Sequence, residues 1–355
     1  MTQAYSSSVD YDSNRRLTVE AQGSESAAVT ADLSFKRTLE TAEISIEPRY
    51  TWRRFSDSSL GNGDDRALLG EFASTGDTTK LDLTASILDQ SSLITELLES
   101  GIVEGNTHQR MEQAAANWTW SETERRQLLA TISYSDVSYH GAGRAQLPGY
   151  RYPSGTVGER FSISPTGSLT VSAFGSTFSS DTAGNSNHEA GLKGEFIYSF
   201  SDRTRFDGSL GESSRLLSGI RSHGTDIAAT LTHDVELGNF SLAYTRNLMP
   251  YGIGFLVERK EVSLSGARQL TPYFDATLAV SRIDNDRRAV LLGLDRRSYD
   301  TASVGLNWHP AETWNFGLQL GAIRTQDFRF TTVTVSEWRS AVTLSWKPRP
   351  SARSW

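Results

Sequence analysis

Charged residues recur with one parity along several short stretches of this 355-residue chain. Glu43, Glu47, Arg49 and Arg53 share a parity, as do Lys193 with Glu195, Arg205 with Asp207, and Asp226 with Asp234; Asp275 occupies the corresponding side of its own stretch. In a strand, residues two apart lie on one face. Carboxylates and guanidiniums spaced this way make a wall of paired charge against water. The chemistry of such a wall is solvation and electrostatic selection of a passing solute rather than bond-making. Carboxylates outnumber cations in the set, so a passage lined by it favours cations or neutral sugars over anions.

Bond-making candidates are few. The six histidines, at 108, 140, 188, 223, 233 and 309, show no close metal-ligand or zincin spacing. His233 stands beside Asp234, but no nucleophile or orienting group can be assigned with it, and it reads as an ordinary strand residue. Asp64-Asp65 and Asp284 to Asp286 lack an EF-hand or nonapeptide pattern. With no Cys in the chain, disulfides, thiolate metal sites and Cys nucleophiles are excluded together. No catalytic residue, metal or cofactor is expected, and the chain is not read as an enzyme. One further stretch could touch a ligand. His140 to Val157 reads as a long loop carrying Arg144, Tyr150, Arg151 and Tyr152, whose rings and guanidiniums can stack on a glycan or narrow a pore. A plain surface loop is the alternative.

The elements that must position these residues are strands. Ala302, Val304, Leu306 and Trp308 alternate with polar residues, the pattern resumes at Trp314, Phe316, Leu318 and Leu320, and Trp338, Val342, Leu344 and Trp346 share a face of a third run. Upstream, Val29 to Phe35 alternate into a turn at 38–41, and Ile44, Ile46, Tyr50 and Trp52 return opposite the charged parity. A soluble sandwich would also alternate. Four mixed charges on one strand face are costly against lipid and natural toward a water-filled lumen. The hairpins repeat, with short turns near 76–77, 121–124, 164–167, 201–204, 237–239, 270–272 and 309–312. Between these lie longer polar stretches at 57–65, 140–157, 181–187, 216–224 and 284–297. Short and long connections in alternation are the asymmetry of an outer-membrane barrel, with turns periplasmic and loops extracellular. Counting segments gives about 18 strands, with 16 as the fallback, since even numbers are the rule for single-chain bacterial barrels. The N-terminal strand around Ala4 to Tyr11 has the weakest pattern. In Asp89 to Ser100, Ile94, Leu97 and Leu98 have helical spacing, and an irregular strand end is preferred over a short helix because Leu81 to Ile87 alternate just before it.

Composition agrees. Hydrophobic residues make up 37% of the chain and mean hydropathy is -0.41, and no apolar run approaches the roughly 18 residues of a membrane helix. The formal charge of -7 argues against general nucleic-acid binding. No secretory n-region and h-region precede Tyr5, so the chain is expected to be a mature form with an added Met1, or a trimmed one.

With the hairpin series in view, the chain resembles the outer-membrane β-barrel family associated with exopolysaccharide-export and exosortase (PEP-CTERM) loci, OmpL-like porins among them. The resembling features are Tyr5 to Asn14 and the loop after it, the run from Asp89 to Gly101, and turns such as Ser201 to Thr204. Trp346 resembles the terminal aromatic of the barrel assembly signal, with 347–355 a short tail and Trp355 the competing candidate. The resemblance offers no catalytic residues. It implies a conduit for exopolysaccharide export or envelope assembly, with lipid, lipopolysaccharide, polysaccharide and periplasmic export proteins as partners. The alternatives are a diffusion porin, a structural barrel scaffolding an envelope complex, and a barrel hydrolase. The expectation is thus one all-β transmembrane antiparallel up-and-down barrel over 1–355, in the bacterial outer membrane.

Overall fold

The computed structural model describes residues 2–18, 20–60, 63–95, 107–141, 147–181, 187–217, 219–251, 255–286, 296–327 and 333–348. They form one closed antiparallel sheet of 18 strands. In chain order these are β1 (Thr2–Asp12), β2 (Ser24–Thr38), β3 (Ala42–Phe55), β4 (Gly63–Thr75), β5 (Thr79–Ser91), β6 (Thr107–Thr123), β7 (Arg126–Gly141), β8 (Tyr150–Ser164) and β9 (Gly167–Ser180). The second half holds β10 (Asn187–Ser201), β11 (Thr204–Leu217), β12 (Ile220–Val235), β13 (Gly238–Tyr251), β14 (Phe255–Thr271), β15 (Phe274–Asp286), β16 (Arg296–Ala311), β17 (Trp314–Asp327) and β18 (Val333–Trp346). Each strand pairs with its sequence neighbours, and β1 closes the ring: Val9 faces Ala27 of β2 on one side and Val342 of β18 on the other. The N-terminal strand, the least patterned in sequence, is therefore the closing element.

Closure leaves no open sheet edge, and alternation then sets two environments. Val29, Ile132, Leu192, Leu242, Val304 and Val342 stand exposed on the outside, where lipid tails are their natural solvent. Aromatics flank this belt at both ends. At the turn end Tyr5 and Trp314 both stack on Trp346, with centroids 5.8 and 6.1 Å away, and at the other end Tyr11 lies 5.2 Å from Trp338. Strand β18 ends at Trp346, which makes that residue the terminal aromatic of the last strand.

Turns of two or three residues close the periplasmic end. At the other end the structure corrects the expected loops, which are shorter than the polar stretches suggested. The stretch 216–224 is almost wholly strand, with only 218–219 between β11 and β12, and Gly219 takes the positive φ of 83° that a tight reversal requires. Likewise 150–157 belongs to β8 rather than to a loop. The reason is length. Crossing the bilayer takes about 9–11 residues per strand, whereas β6 and β14 have 17 each. Above the belt the outer face turns polar, while the inner face mixes polar residues with buried or half-buried apolar ones such as Phe178 and Tyr150, so the alternation disappears although the strand continues. A second correction concerns Asp89 to Ser100. Strand β5 runs to Ser91 and a one-turn helix, α1 (Ser92–Thr95), follows; Leu97 and Leu98 lie outside the described residues.

Buried apolar side chains sit inside the extracellular half. Leu17, from the β1–β2 connection, packs on Ile323 and Val335; Leu147 packs on Val137 and Tyr139; and Phe178, Leu217, Leu248 and Leu256 form a third cluster. The third cluster reveals a departure from the regular wall. Strand β12 pairs with β13 only as far as Ile227 and Arg246, while β13 continues to Tyr251 paired with β14 alone. By alternation Leu248 and Leu256 belong on the outside with Leu242 and Leu264. Instead they are buried against Phe178 and Leu217, on the lumen side of β9 and β11. The tip of the β13–β14 hairpin thus leaves its neighbour and leans inward, its outer face lying on the inner face of the adjoining wall. Pro250, which cannot donate a ladder hydrogen bond, falls in this tip, where β13 has no partner on its β12 side.

A barrel of this kind is expected to fractionate with outer membranes and to migrate faster on gels unless heated. Recovery as a detergent-free soluble monomer would contradict the fold.

Candidate functional site

Strand register places all eleven charged candidates, Glu43, Glu47, Arg49, Arg53, Lys193, Glu195, Arg205, Asp207, Asp226, Asp234 and Asp275, on the lumen side of their strands. Most meet a partner there. Lys36 Nζ lies 2.6 Å from Glu43, Arg49 pairs with Asp32, and Arg53 is 3.5 Å from Asp65. Glu47 accepts a 3.0 Å hydrogen bond from Ser34. Lys193–Glu195 and Arg205–Asp207 close at 2.6 and 2.7 Å, and His309 Nε2 lies 2.8 Å from Asp275. Partners come from the adjacent strand or from two residues along, because those are the side chains that share a face.

The densest part of the wall was not visible in sequence. Arg215 Nε donates to Glu189 at 2.7 Å and its Nη2 donates to Asp226 at 2.7 Å. Ser213 adds a 2.7 Å hydrogen bond to Glu189. The Arg215 and Glu189 side chains are only 3% and 5% exposed. Gly224 makes room for this arrangement, since a Cβ there would stand 1.9 Å from the Arg215 guanidinium. Asp226 is one of the lumen candidates read from the sequence; Arg215, which holds it, and Glu189, which shares that guanidinium, are not. Their parity matches that of Lys193 and Asp207, which is the signal that would have found them.

A cavity of about 600 Å³ lies between this network and the inward-leaning hairpin, lined by Lys193, Glu195, Asp226, Arg160 and Tyr152 and, on the hairpin side, by Arg246, Asn247 and Leu248. A second, of about 670 Å³, lies toward the turn end beside Asp32, Glu47 and Arg49. Both are lumen spaces. The first is narrowed by the hairpin tip, with Arg246 held to Glu258 at 3.0 and 3.1 Å.

The four residues expected on a long loop are separated. Tyr150 and Tyr152 are strand residues facing inward and packing beside the Phe178 cluster. Arg151 faces outward and pairs with Asp136 at 3.1 Å, so these three are not a loop surface. Arg144 lies outside the described residues. His233 and Asp234 sit on opposite faces of β12, and His233 Nδ1 lies 2.9 Å from Thr204 Oγ1. Neighbours in a strand point apart, which prevents them from acting as a dyad. Asp64 and Asp65 separate in the same way, with Asp64 beside Tyr50 and Arg54 outside and Asp65 beside Arg53 inside.

One grouping of metal-ligand types forms without the close sequence spacing whose absence argued against a metal. Asp89, His108 and His140 meet on the outer face near the extracellular rim, with one ligand atom from each within 4.8 Å of the others. They are far apart in sequence and are joined only by the β5–β6–β7 register.

No family model and no curated protein matches this chain. Solved structures do. OccK5 (OpdH) of Pseudomonas aeruginosa aligns with a TM-score of 0.53 at 12% identity, over 98% of this chain and 98% of its own. OccAB3 of Acinetobacter baumannii aligns with a TM-score of 0.51 at 10% identity, over 98% and 99%. The fold is that of an outer-membrane β-barrel. The apolar belt, the aromatic girdles and the closed sheet place the chain in that membrane.

Proposed function

We propose that this barrel is a passive channel for small polar solutes. The observation that carries the reading is the mixed-charge lumen wall, most of whose carboxylates and cations meet a partner along or across the strands. It is narrowed, at the extracellular side, by the hairpin tip of β13 and β14. The excess of carboxylates in that wall favours cations and neutral solutes over anions. Two barrels of like fold, OccK5 and OccAB3, are outer-membrane porins, which supports a porin before an export conduit. The export reading rests on the resemblance to barrels of exopolysaccharide loci, and with it go polysaccharide and periplasmic export proteins as partners.

In planar bilayers the purified barrel is expected to conduct with weak preference for cations. Replacing Arg49 and Arg53 together with Gln removes two lumen cations and should strengthen that preference. Replacing 248–256 with a two-residue turn should raise single-channel conductance, because the hairpin tip narrows the lumen. A barrel that stays sealed in both wild type and the shortened form would reject the channel. Conductance blocked by an added acidic polysaccharide, but not by its monosaccharides, would favour export.

A further inference from the structure

We infer that Asp89, His108 and His140 form a binding site for a divalent transition-metal ion of the zinc class on the outer face of the barrel. His108 and His140 are directly opposed across β6 and β7. Asp89 stands opposite Arg110, two residues along from His108, so its side chain reaches the two imidazoles diagonally. All three have the parity of Trp118 and Ile132, which puts them outside the lumen and above the apolar belt.

The donor atoms are already gathered. Asp89 Oδ1 lies 3.2 Å from His108 Nδ1 and 3.7 Å from His140 Nε2. The two imidazoles stack with centroids 5.5 Å apart at 26°. Ligands held at zinc-like distances in a tetrahedron stand about 3.3 Å from one another, so the carboxylate oxygen sits close to that spacing from both nitrogens. An Asp–His ion pair would need only one ring. A second ring brought to the same oxygen gathers three donor atoms within 4.8 Å of one another, which one metal ion can bridge and an Asp–His ion pair does not need.

The donor set points to the metal. Two imidazoles and one carboxylate suit zinc and its neighbours in affinity, whereas calcium and magnesium prefer all-oxygen shells. Three protein ligands leave a fourth position for water or another oxygen donor. Arg54, Asp64 and Arg66 line the same 340 Å³ recess, so the ion is approached through a polar cleft rather than from lipid. A bound ion would tie β5, β6 and β7 together at the rim.

The site makes no use of the lumen, so it stands or falls independently of the channel reading. The test is calorimetric titration of zinc chloride into chelator-treated, folded barrel in detergent, with heat-dependent gel migration as the check on folding. One zinc per chain is expected. His108→Ala and His140→Ala should each weaken binding by more than roughly tenfold, since even outer-shell partners of metal ligands cost that much; Asp89→Asn should weaken it too. His223→Ala, on the outer face of β12, should leave it unchanged. Cobalt bound in place of zinc should give the visible absorption of a tetrahedral nitrogen and oxygen site, lost in the His108→Ala, His140→Ala double variant. Absence of zinc binding, or equal binding by a folded double variant, would overturn the assignment.

Discussion

Arg215→Met is expected to destabilise the folded barrel by about 3–5 kcal/mol, the usual cost of removing one partner from a buried charge network. Glu189 and Asp226 both lie 2.7 Å from the guanidinium, and without it two carboxylates face each other with little water to replace it. The midpoint and slope of urea unfolding in lipid vesicles measure the loss. Converting Glu189 to Gln in the same chain should restore part of it, because the uncompensated charge rather than the missing contact dominates. Gly224→Ala should act in the same direction and more weakly. Its new Cβ would strike the Arg215 guanidinium, which hydrogen bonds at both ends prevent from moving freely. A loss below about 1 kcal/mol for Arg215→Met would mean that lumen water solvates the carboxylates as well as the guanidinium does.

The next largest effect concerns the belt. Leu231→Arg and Leu318→Arg are each expected to cost on the order of 2–4 kcal/mol, as charged residues near the bilayer midplane do. The two leucines are 41% and 44% exposed on the protein itself, which would be wasteful in water and is what a lipid-facing position looks like without its lipid. Their strand neighbours Thr230 and Gln319 point into the lumen, so Thr230→Arg and Gln319→Arg should be better tolerated. Unfolding of the four variants in parallel checks the contrast. Equal losses on both faces would mean that the lumen is packed shut at this depth.

Much of this molecule was readable because a barrel strand needs only its own alternation to declare its two faces. Ala302 to Trp346 announced three strands by period alone, the recurring short turns set the hairpins, and the parity of Glu43, Arg49, Lys193 and Asp275 set the face that carries charge. That rule fails wherever the outer side of a strand turns polar. At Tyr150 to Val157 the strand rises past the lipid, the apolar half of its pattern is gone, and a strand reads as a loop. The rule also fails where the wall folds. Leu248 and Leu256 have the parity of lipid-facing residues, and only the loss of pairing between β12 and β13 turns them onto Phe178 and Leu217.

Amino-acid order alone determined that this chain builds two-faced strands, because alternation is local and each strand carries it independently; that β1 closes them into a ring was decided by its pairing with β18. Tertiary structure decided which side chains meet. Glu189, Arg215 and Asp226, or Asp89, His108 and His140, are brought within bonding reach by strand register, a property of pairs of strands that no single stretch contains. A shift by one residue of β6 or β11 against its neighbours would send His108 or Arg215 to the opposite face and break up its group.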